Sequence, residues 1–114
     1  MSTDKNYQSG NTTMLILKLL ECNDMYGYQI IEELAKRSDN TFCLKTGTLY
    51  PLLHGLENDG CVTSYDQNAD NQRIRKYYSI TPKGKKLLKS KNLEWTTYKK
   101  GVNLVMEGFT YATV

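Results

Sequence analysis

The chain has 114 residues, of which 15 are lysine or arginine and 12 are aspartate or glutamate, and its formal net charge is +3. This length is typical of a single domain that hides roughly two-thirds of its unfolded surface on folding. The longest apolar run, residues 14–17, is far too short to cross a bilayer, and no signal peptide is apparent. We therefore predict a cytoplasmic protein that makes no use of a membrane.

The three cysteines, Cys22, Cys43 and Cys61, are widely spaced and form no C-x-x-C pair. Neither a zinc site nor a redox dithiol is indicated, and no metal or cofactor is predicted. Free cysteines usually lie buried, so we expect all three to act as small apolar residues. The sequence contains a single histidine and no apparent Ser-His-Asp, Cys-His or paired-carboxylate arrangement, which argues against an enzyme.

The N-terminal part of the chain is predicted to contain a flexible arm and a first helix. Residues 1–10 are polar and unpatterned, as a frayed arm would be. The helix is expected to begin near Asn11 or Thr12, which are good caps, and to end near Cys22. Its apolar residues cover almost the whole circumference, which favours burial on more than one side. We predict that the second side meets another subunit through Leu15 and Leu19.

A second helix is predicted from Tyr26 to about Arg37, after a turn at residues 23–24. Its apolar residues recur on one face, and polar residues occupy the other. Residues 38–40 interrupt the pattern and should end the helix.

A third helix carries leucines on one face and is predicted to end at Gly60, a typical C-terminal cap. Its start is open between two caps, Thr46 and Thr48. With Thr48 as the cap, Pro51 falls in the first turn without cost, whereas with Thr46 one helical hydrogen bond is lost.

A β-hairpin is predicted next, because residues 61–65 and 73–80 are rich in the residue types that strands prefer. The polar loop 66–72 between them should be an exposed tip. Basic residues cluster from this hairpin onward, which creates a local positive potential. A helix followed by a basic hairpin outlines a winged helix-turn-helix, so we predict an α+β, mainly α fold with a DNA-binding domain over residues 11–80.

The last helix is predicted to start at Thr81 and Pro82, a cap followed by proline at the first helical position. Apolar residues then recur at heptad steps along one seam. The members of this seam are Leu88, Trp95, Tyr98, Val102, Val105 and Phe109. A long helix with a narrow apolar seam requires a partner, so residues 81–107 are predicted to form a homodimer; residues 108–114 carry no clear pattern.

Three groups of residues, taken in order and spacing, resemble the PadR family of bacterial transcriptional regulators. The matching residues are Tyr26-Gly27-Tyr28, then Thr48-Leu49-Tyr50-Pro51 with Leu56-Glu57 and Gly60, then Arg75-Lys76-Tyr77-Tyr78-Ser79-Ile80-Thr81 with Gly84. The resemblance implies a repressor. The chain departs from the pattern at Ile74, a position that is often basic in relatives, and at Gly101, which interrupts the last helix.

The single C-terminal helix looks like the short branch of the family, which includes multidrug-sensing repressors. In such relatives the tryptophan of this helix stacks on drugs, so the resemblance implies a planar aromatic effector at Trp95. Simple packing of Trp95 in the dimer seam is the alternative, and the sequence leaves the choice open.

The residues expected to contact double-stranded DNA lie on the third helix and on the hairpin. They are Lys45, Thr46, Thr48, Tyr50, His54, Arg73, Arg75 and Lys76. For Tyr50 core packing and for His54 plain solvent exposure remain open alternatives. A dimer would place two such helices in successive major grooves, which implies an inverted repeat with half-sites roughly 34 Å apart. A winged-helix protein-interaction module without specific DNA binding is the alternative function.

Overall fold

The computed structural model describes residues 2–68 and 73–107, with side chains described from residue 11 onward. The described part contains four helices and three strands in the order α1, β1, α2, α3, β2, β3, α4. Their bounds are Ser2–Cys22, Met25–Tyr26, Gly27–Arg37, Thr46–Asn58, Val62–Asn68, Ile74–Ile80 and Pro82–Met106. The α+β, mainly α class is therefore confirmed. The hairpin tip at 69–72 and the predicted tail with Phe109 lie outside the described residues.

The three strands form an antiparallel sheet in the order β1-β3-β2. The hairpin register runs from Val62 opposite Ile80 to Asn68 opposite Ile74, so β2 extends three residues past its predicted end at residue 65. The polar residues 66–68 stay in the ladder because each finds a partner on β3, Asp66 lying opposite Lys76. The two-residue strand β1, which the sequence did not reveal, completes the sheet on the other side of β3.

Helix α1 begins at Ser2, so the predicted start near residue 11 is wrong. The segment contains no proline, and Gly10 in a helix costs only about 1 kcal/mol relative to alanine. The polarity of residues 1–10 therefore did not indicate where the helix begins.

The rest of the chain surrounds the second half of α1. Helix α1 packs against α2, β3 and α4, and it supplies five of the buried apolar side chains of the core, namely Met14, Ile16, Leu17, Leu19 and Leu20. Most of the apolar circumference of α1 is therefore buried within one chain, because α4 returns alongside it, whereas Leu15 is half-buried. The predicted contact of α1 with a second subunit stays a prediction.

Helix α3 ends at Asn58, and the predicted C-terminal capping residue, Gly60, follows with a φ of +78°. The amide of Gly60 donates to the carbonyl of Glu57 at 3.0 Å, and the amide of Cys61 donates to Leu56 at 2.8 Å. These two bonds form a Schellman motif, which satisfies the last carbonyls of the helix.

The start of α3 differs from both alternatives, because the cap is Lys45 and neither threonine. Its carbonyl accepts the amides of Thr48 at 3.0 Å and Leu49 at 2.9 Å. Pro51 consequently lies inside the helix, where it has no amide to donate to the carbonyl of Gly47.

The junction between the hairpin and α4 confirms the predicted cap at Thr81. Its hydroxyl accepts the amide of Gly84 at 3.0 Å and donates to the carbonyl of Gly60 at 2.7 Å. The amide of Thr81 also donates to the carbonyl of Cys61 at 3.0 Å. One residue thus ties the start of α4 to the end of α3.

Of the three cysteines only Cys61 is buried, so the expectation for Cys22 and Cys43 is wrong. Cys22 is the last residue of α1, and its sulfur accepts from the guanidinium of Arg37 at 3.8 Å. Cys43 lies in the irregular segment before α3, where its thiol donates to the carbonyl of Asn40 at 3.3 Å. The exposure of Cys22 and Cys43 depends on which side of each segment faces the core, which residue type does not reveal.

Candidate nucleic-acid interface

Helix α3 buries its leucines and turns a polar face outward. Leu49, Leu53 and Leu56 lie in the core. Four of the predicted contact residues are exposed on or beside this helix, namely Lys45, Thr46, Thr48 and His54. In the first turn, the amides of residues 46 and 47 have no helical acceptor, and a helix N-terminus attracts anions. The arrangement suits a phosphate at the start of α3.

The outward face of α3 also carries two glycines, Gly47 and Gly55, which were not among the predicted contact residues. A Cβ added at Gly47 or at Gly55 would meet nothing within 4 Å. Glycine destabilises a helix interior, and no packing inside the described chain requires it at these two positions. Their effect is an outer surface of α3 on which the helix backbone is accessible.

Tyr50 occupies an intermediate position, half-buried and packed against the core. Its ring lies directly against Gly27, where a Cβ would collide with the phenol. The pair therefore lets α2 and α3 approach each other and sets the helix-turn-helix geometry. On the outer side, the ring centroid of Tyr50 is 6.5 Å from that of His54.

The basic residues of the hairpin lie on two different faces. On β3, alternation puts Lys76 on the same face as Tyr78, which is buried, and Arg75 on the opposite face. The Lys76 ammonium is 5.8 Å from the centroid of the Tyr78 ring, whereas the Arg75 guanidinium carbon is 4.4 Å from that of Tyr26. Arg73 is exposed just before β3.

Two hydrogen bonds, neither visible in the sequence, fix the hairpin to the rest of the domain. Ser64 on β2 donates to the carboxylate of Glu57 on α3 at 2.6 Å. The next residue, Tyr65, points to the other face and donates to the carboxylate of Asp24 at 2.7 Å. The Asp24 carboxylate raises the pKa of the Tyr65 phenol above its ordinary value, because the hydrogen bond requires the protonated form. The wing is thus held against α3 on one side and against the turn before β1 on the other.

Helix α4 continues beyond the core and leaves its apolar seam uncovered. Leu88 is buried and Trp95 is half-buried, but Tyr98, Val102 and Val105 are 52%, 38% and 74% exposed. Of the other residues predicted for the interface, Leu15 is half-buried, whereas Leu19 and Leu88 are only 4% and 7% exposed in the single chain. Leu19 and Leu88 therefore have little surface left for a partner.

A groove of about 600 Å³ lies between α1 and α4 and includes Trp95. Its floor is apolar, and its rim is charged. The lining residues are Met14, Leu15, Lys18, Glu21, Lys85, Leu88, Lys89, Asn92 and Trp95. The volume lies within the range of small-molecule sites, about 300–1,000 Å³.

Within residues 2–68 and 73–107, no three His, Cys, Asp or Glu side chains are grouped as metal ligands. In the same part of the chain, every helix is too short or too polar to span a membrane.

Three helices, a three-stranded sheet and a basic hairpin beside an exposed third helix define a winged-helix DNA-binding protein. The profile of the transcriptional regulator PadR-like family matches residues 16–90. The chain therefore belongs to the PadR-like family of transcriptional regulators, as its motifs indicated, and is a regulator of transcription rather than an enzyme.

Individual relatives agree with this assignment. A transcriptional regulator of Mycobacterium tuberculosis is 32% identical over 84 residues, which are 74% of this chain and 75% of that protein. A solved transcriptional regulator of Clostridium thermocellum is 36% identical with a TM-score of 0.76, and 84% of this chain and 93% of that chain are covered. A PadR family regulator of Clostridium difficile is 37% identical with a TM-score of 0.70, and 82% and 96% are covered.

Proposed function

We propose that the protein is a cytoplasmic, dimeric repressor. It binds an inverted-repeat operator in double-stranded DNA, with one α3 helix in each of two successive major grooves. The observation that carries the proposal is the exposed polar face of α3 beside a basic wing, on a chain of this family. Half-sites would lie roughly 34 Å apart, one turn of the double helix. Repression, rather than activation, follows from the resemblance to the multidrug-sensing branch.

A second copy of the chain is the proposed partner of α4. Its C-terminal half projects from the core with an apolar stripe, and large exposed stripes of this kind mark interaction sites. The stripe continues the face that α4 packs on its own α1, so a partner helix would extend the same core. The contacts would come from Leu15, Trp95, Tyr98, Val102 and Val105.

The wing cations are expected to contribute to affinity without choosing the sequence. Replacing Arg75 and Lys76 together by alanine should weaken binding to all DNA sequences. The negative slope of log K for DNA binding against log[salt] should become less steep by about 2, since each lost phosphate contact removes about one released counterion. The measurement is a gel-shift titration against DNA from upstream of the protein's own gene, at several salt concentrations, with unrelated DNA as competitor.

The matched control replaces Lys86 and Lys100, which are exposed on α4, and therefore changes the net charge equally. An unchanged slope in the wing variant would remove the wing from the interface. If the wild type binds the DNA from upstream of its own gene no more tightly than it binds the competitor DNA, a protein-interaction module becomes the better interpretation.

The groove beside Trp95 is the proposed effector site. Trp95 lines the groove, and its ring is stacked with that of Tyr98 at 6.2 Å and 27°. A flat molecule in the groove would therefore contact the aromatic surface of Trp95. At the rim, Glu21 is already paired with Lys18 at 3.0 Å, while Lys85 and Lys89 make no ion pair among the described residues. This charge balance favours an aromatic anion over an aromatic cation.

Trp95 fluorescence tests the site directly, because this is the only tryptophan of the chain. A planar aromatic carboxylate should quench the emission at lower concentration than a planar aromatic cation of the same size. Replacing Lys89 by glutamine should remove most of this difference without changing the emission of the free protein. If neither compound quenches the fluorescence of Trp95, then Trp95 only packs in the seam.

A further inference from the structure

The Arg75 guanidinium lies at one end of an ordered row of aromatic rings on the outer face of the sheet. Its carbon is 4.4 Å from the centroid of the Tyr26 ring. Tyr26 lies opposite Tyr77 in the sheet, and their rings meet edge to face at 5.4 Å. Tyr77 in turn stacks on Tyr65 at 5.8 Å and 14°. The row includes one residue from each strand.

The far end of the row is fixed by a charged acceptor. Tyr65 donates to the Asp24 carboxylate at 2.7 Å, so its ring cannot swing away without breaking this bond. Each ring therefore restrains the next, and Tyr26 presents a fixed face to the arginine. On the inner face, Lys76 is exposed and its ammonium lies 5.8 Å from the centroid of the Tyr78 ring.

A guanidinium that lies over an aromatic face keeps its N–H edge free to donate two hydrogen bonds to an anion such as phosphate. Arginine otherwise loses up to about 2 kcal/mol of side-chain entropy when it is immobilised. An arginine that is already held on Tyr26 in the free protein has lost part of this freedom before DNA arrives. Arg75 lies opposite Gln67, one pair away from Asn68 and Ile74, which form the last pair of the ladder before the hairpin tip. Winged-helix proteins turn this end of the hairpin toward DNA.

We propose that Tyr26 is a positioning residue for DNA binding, which holds the Arg75 guanidinium ready for a phosphate on the outer face of the wing. Lys76 then reaches the duplex from the other face. The inference rests on the proposed function, because it requires the wing to contact DNA. It concerns a residue of β1 that directly precedes α2 and is not itself a DNA ligand.

A double-mutant cycle tests this role. Tyr26→Leu, which removes the aromatic face but keeps an apolar side chain, should weaken operator binding about two- to tenfold, because Arg75 must then lose more of its side-chain freedom when DNA binds. Tyr26→Phe keeps the ring and should bind like the wild type. In an Arg75→Ala background, Tyr26→Leu should cause no further loss, because Tyr26 acts through the arginine. The fold of each variant is checked by circular dichroism and thermal denaturation.

The outcomes separate the inference from the proposed function. If Tyr26→Leu weakens binding equally with and without Arg75, Tyr26 supports the domain and does not position the arginine. If Tyr26→Leu binds like the wild type while Arg75→Ala does not, Arg75 needs no support from the ring. Both results overturn the inference and leave the DNA-binding function in place, whereas a wild type without specific binding overturns the proposed function itself.

Discussion

Replacing Val102 and Val105 by glutamate is expected to convert the protein from a dimer to a monomer and to abolish operator binding. Both side chains are exposed in the single chain, so the proposed interface is the place where they become buried. Burial of a valine contributes at least about 1.5 kcal/mol, and a two-fold axis uses each residue twice. The dimer constant should fall by about 10⁴-fold or more, which sedimentation velocity at micromolar concentration would detect.

The matched control is Asn103→Glu, a single charge change on the same exposed part of α4 but off the seam. It should leave the dimer intact. Because all three residues lie beyond the core, the secondary structure of each variant should match that of the wild type. A wild-type protein that sediments as a monomer, or a double variant that remains a dimer, would contradict the assignment of the α4 seam.

Replacing Gly84 by alanine is expected to give the largest loss of stability from a single methyl group. A Cβ at this position would overlap the carbonyl oxygen of Cys61 and press on the side chain of Ile80. The carbonyl belongs to the same junction that Thr81 ties together, so relief requires α4 to move away from the end of α3. We expect a loss of about 2–3 kcal/mol in the free energy of unfolding, or roughly 10–20 °C in Tm.

Gly55→Ala is the appropriate control, because the space around Gly55 is open and alanine is the better helix former. This variant should gain up to about 1 kcal/mol. Thermal denaturation followed by circular dichroism compares the two. A Gly84→Ala protein as stable as the wild type would show that the junction can open without cost.

The sequence was most informative where structure depends on neighbouring residues. The end of α3 at Gly60 requires only a residue that accepts a positive φ, and Thr81-Pro82 caps α4 through a side chain three residues from its donor. The heptad seam of α4 follows from spacing alone. These signals, with the family motifs, predicted the winged-helix class and the two elements proposed to bind DNA.

The sequence was misleading where the answer depends on what else packs nearby. The circumference of α1 was correctly interpreted as buried, but this burial does not by itself indicate a second subunit, because α4 of the same chain supplies one cover. The contact of α1 with a partner stays a prediction. Burial of Cys22 and Cys43 was wrong for the same reason, since residue type does not reveal which side of an element faces solvent. Lys45 caps α3 although both threonines are the better side-chain caps, because the approach of the chain to the helix decides the first turn.

By itself, then, the sequence determined the second, third and fourth helices, the hairpin, the caps at Gly60 and Thr81, and the family, because local periodicity and capping need only residues a few positions apart. Only the tertiary structure decided how the wing is held. Asp24 and Tyr65 are 41 residues apart, and Tyr26 and Arg75 approach only because β1 pairs with β3. Such contacts carry no sequence signal of their own, since many tyrosines and charges could pair and the sheet register selects which of them do.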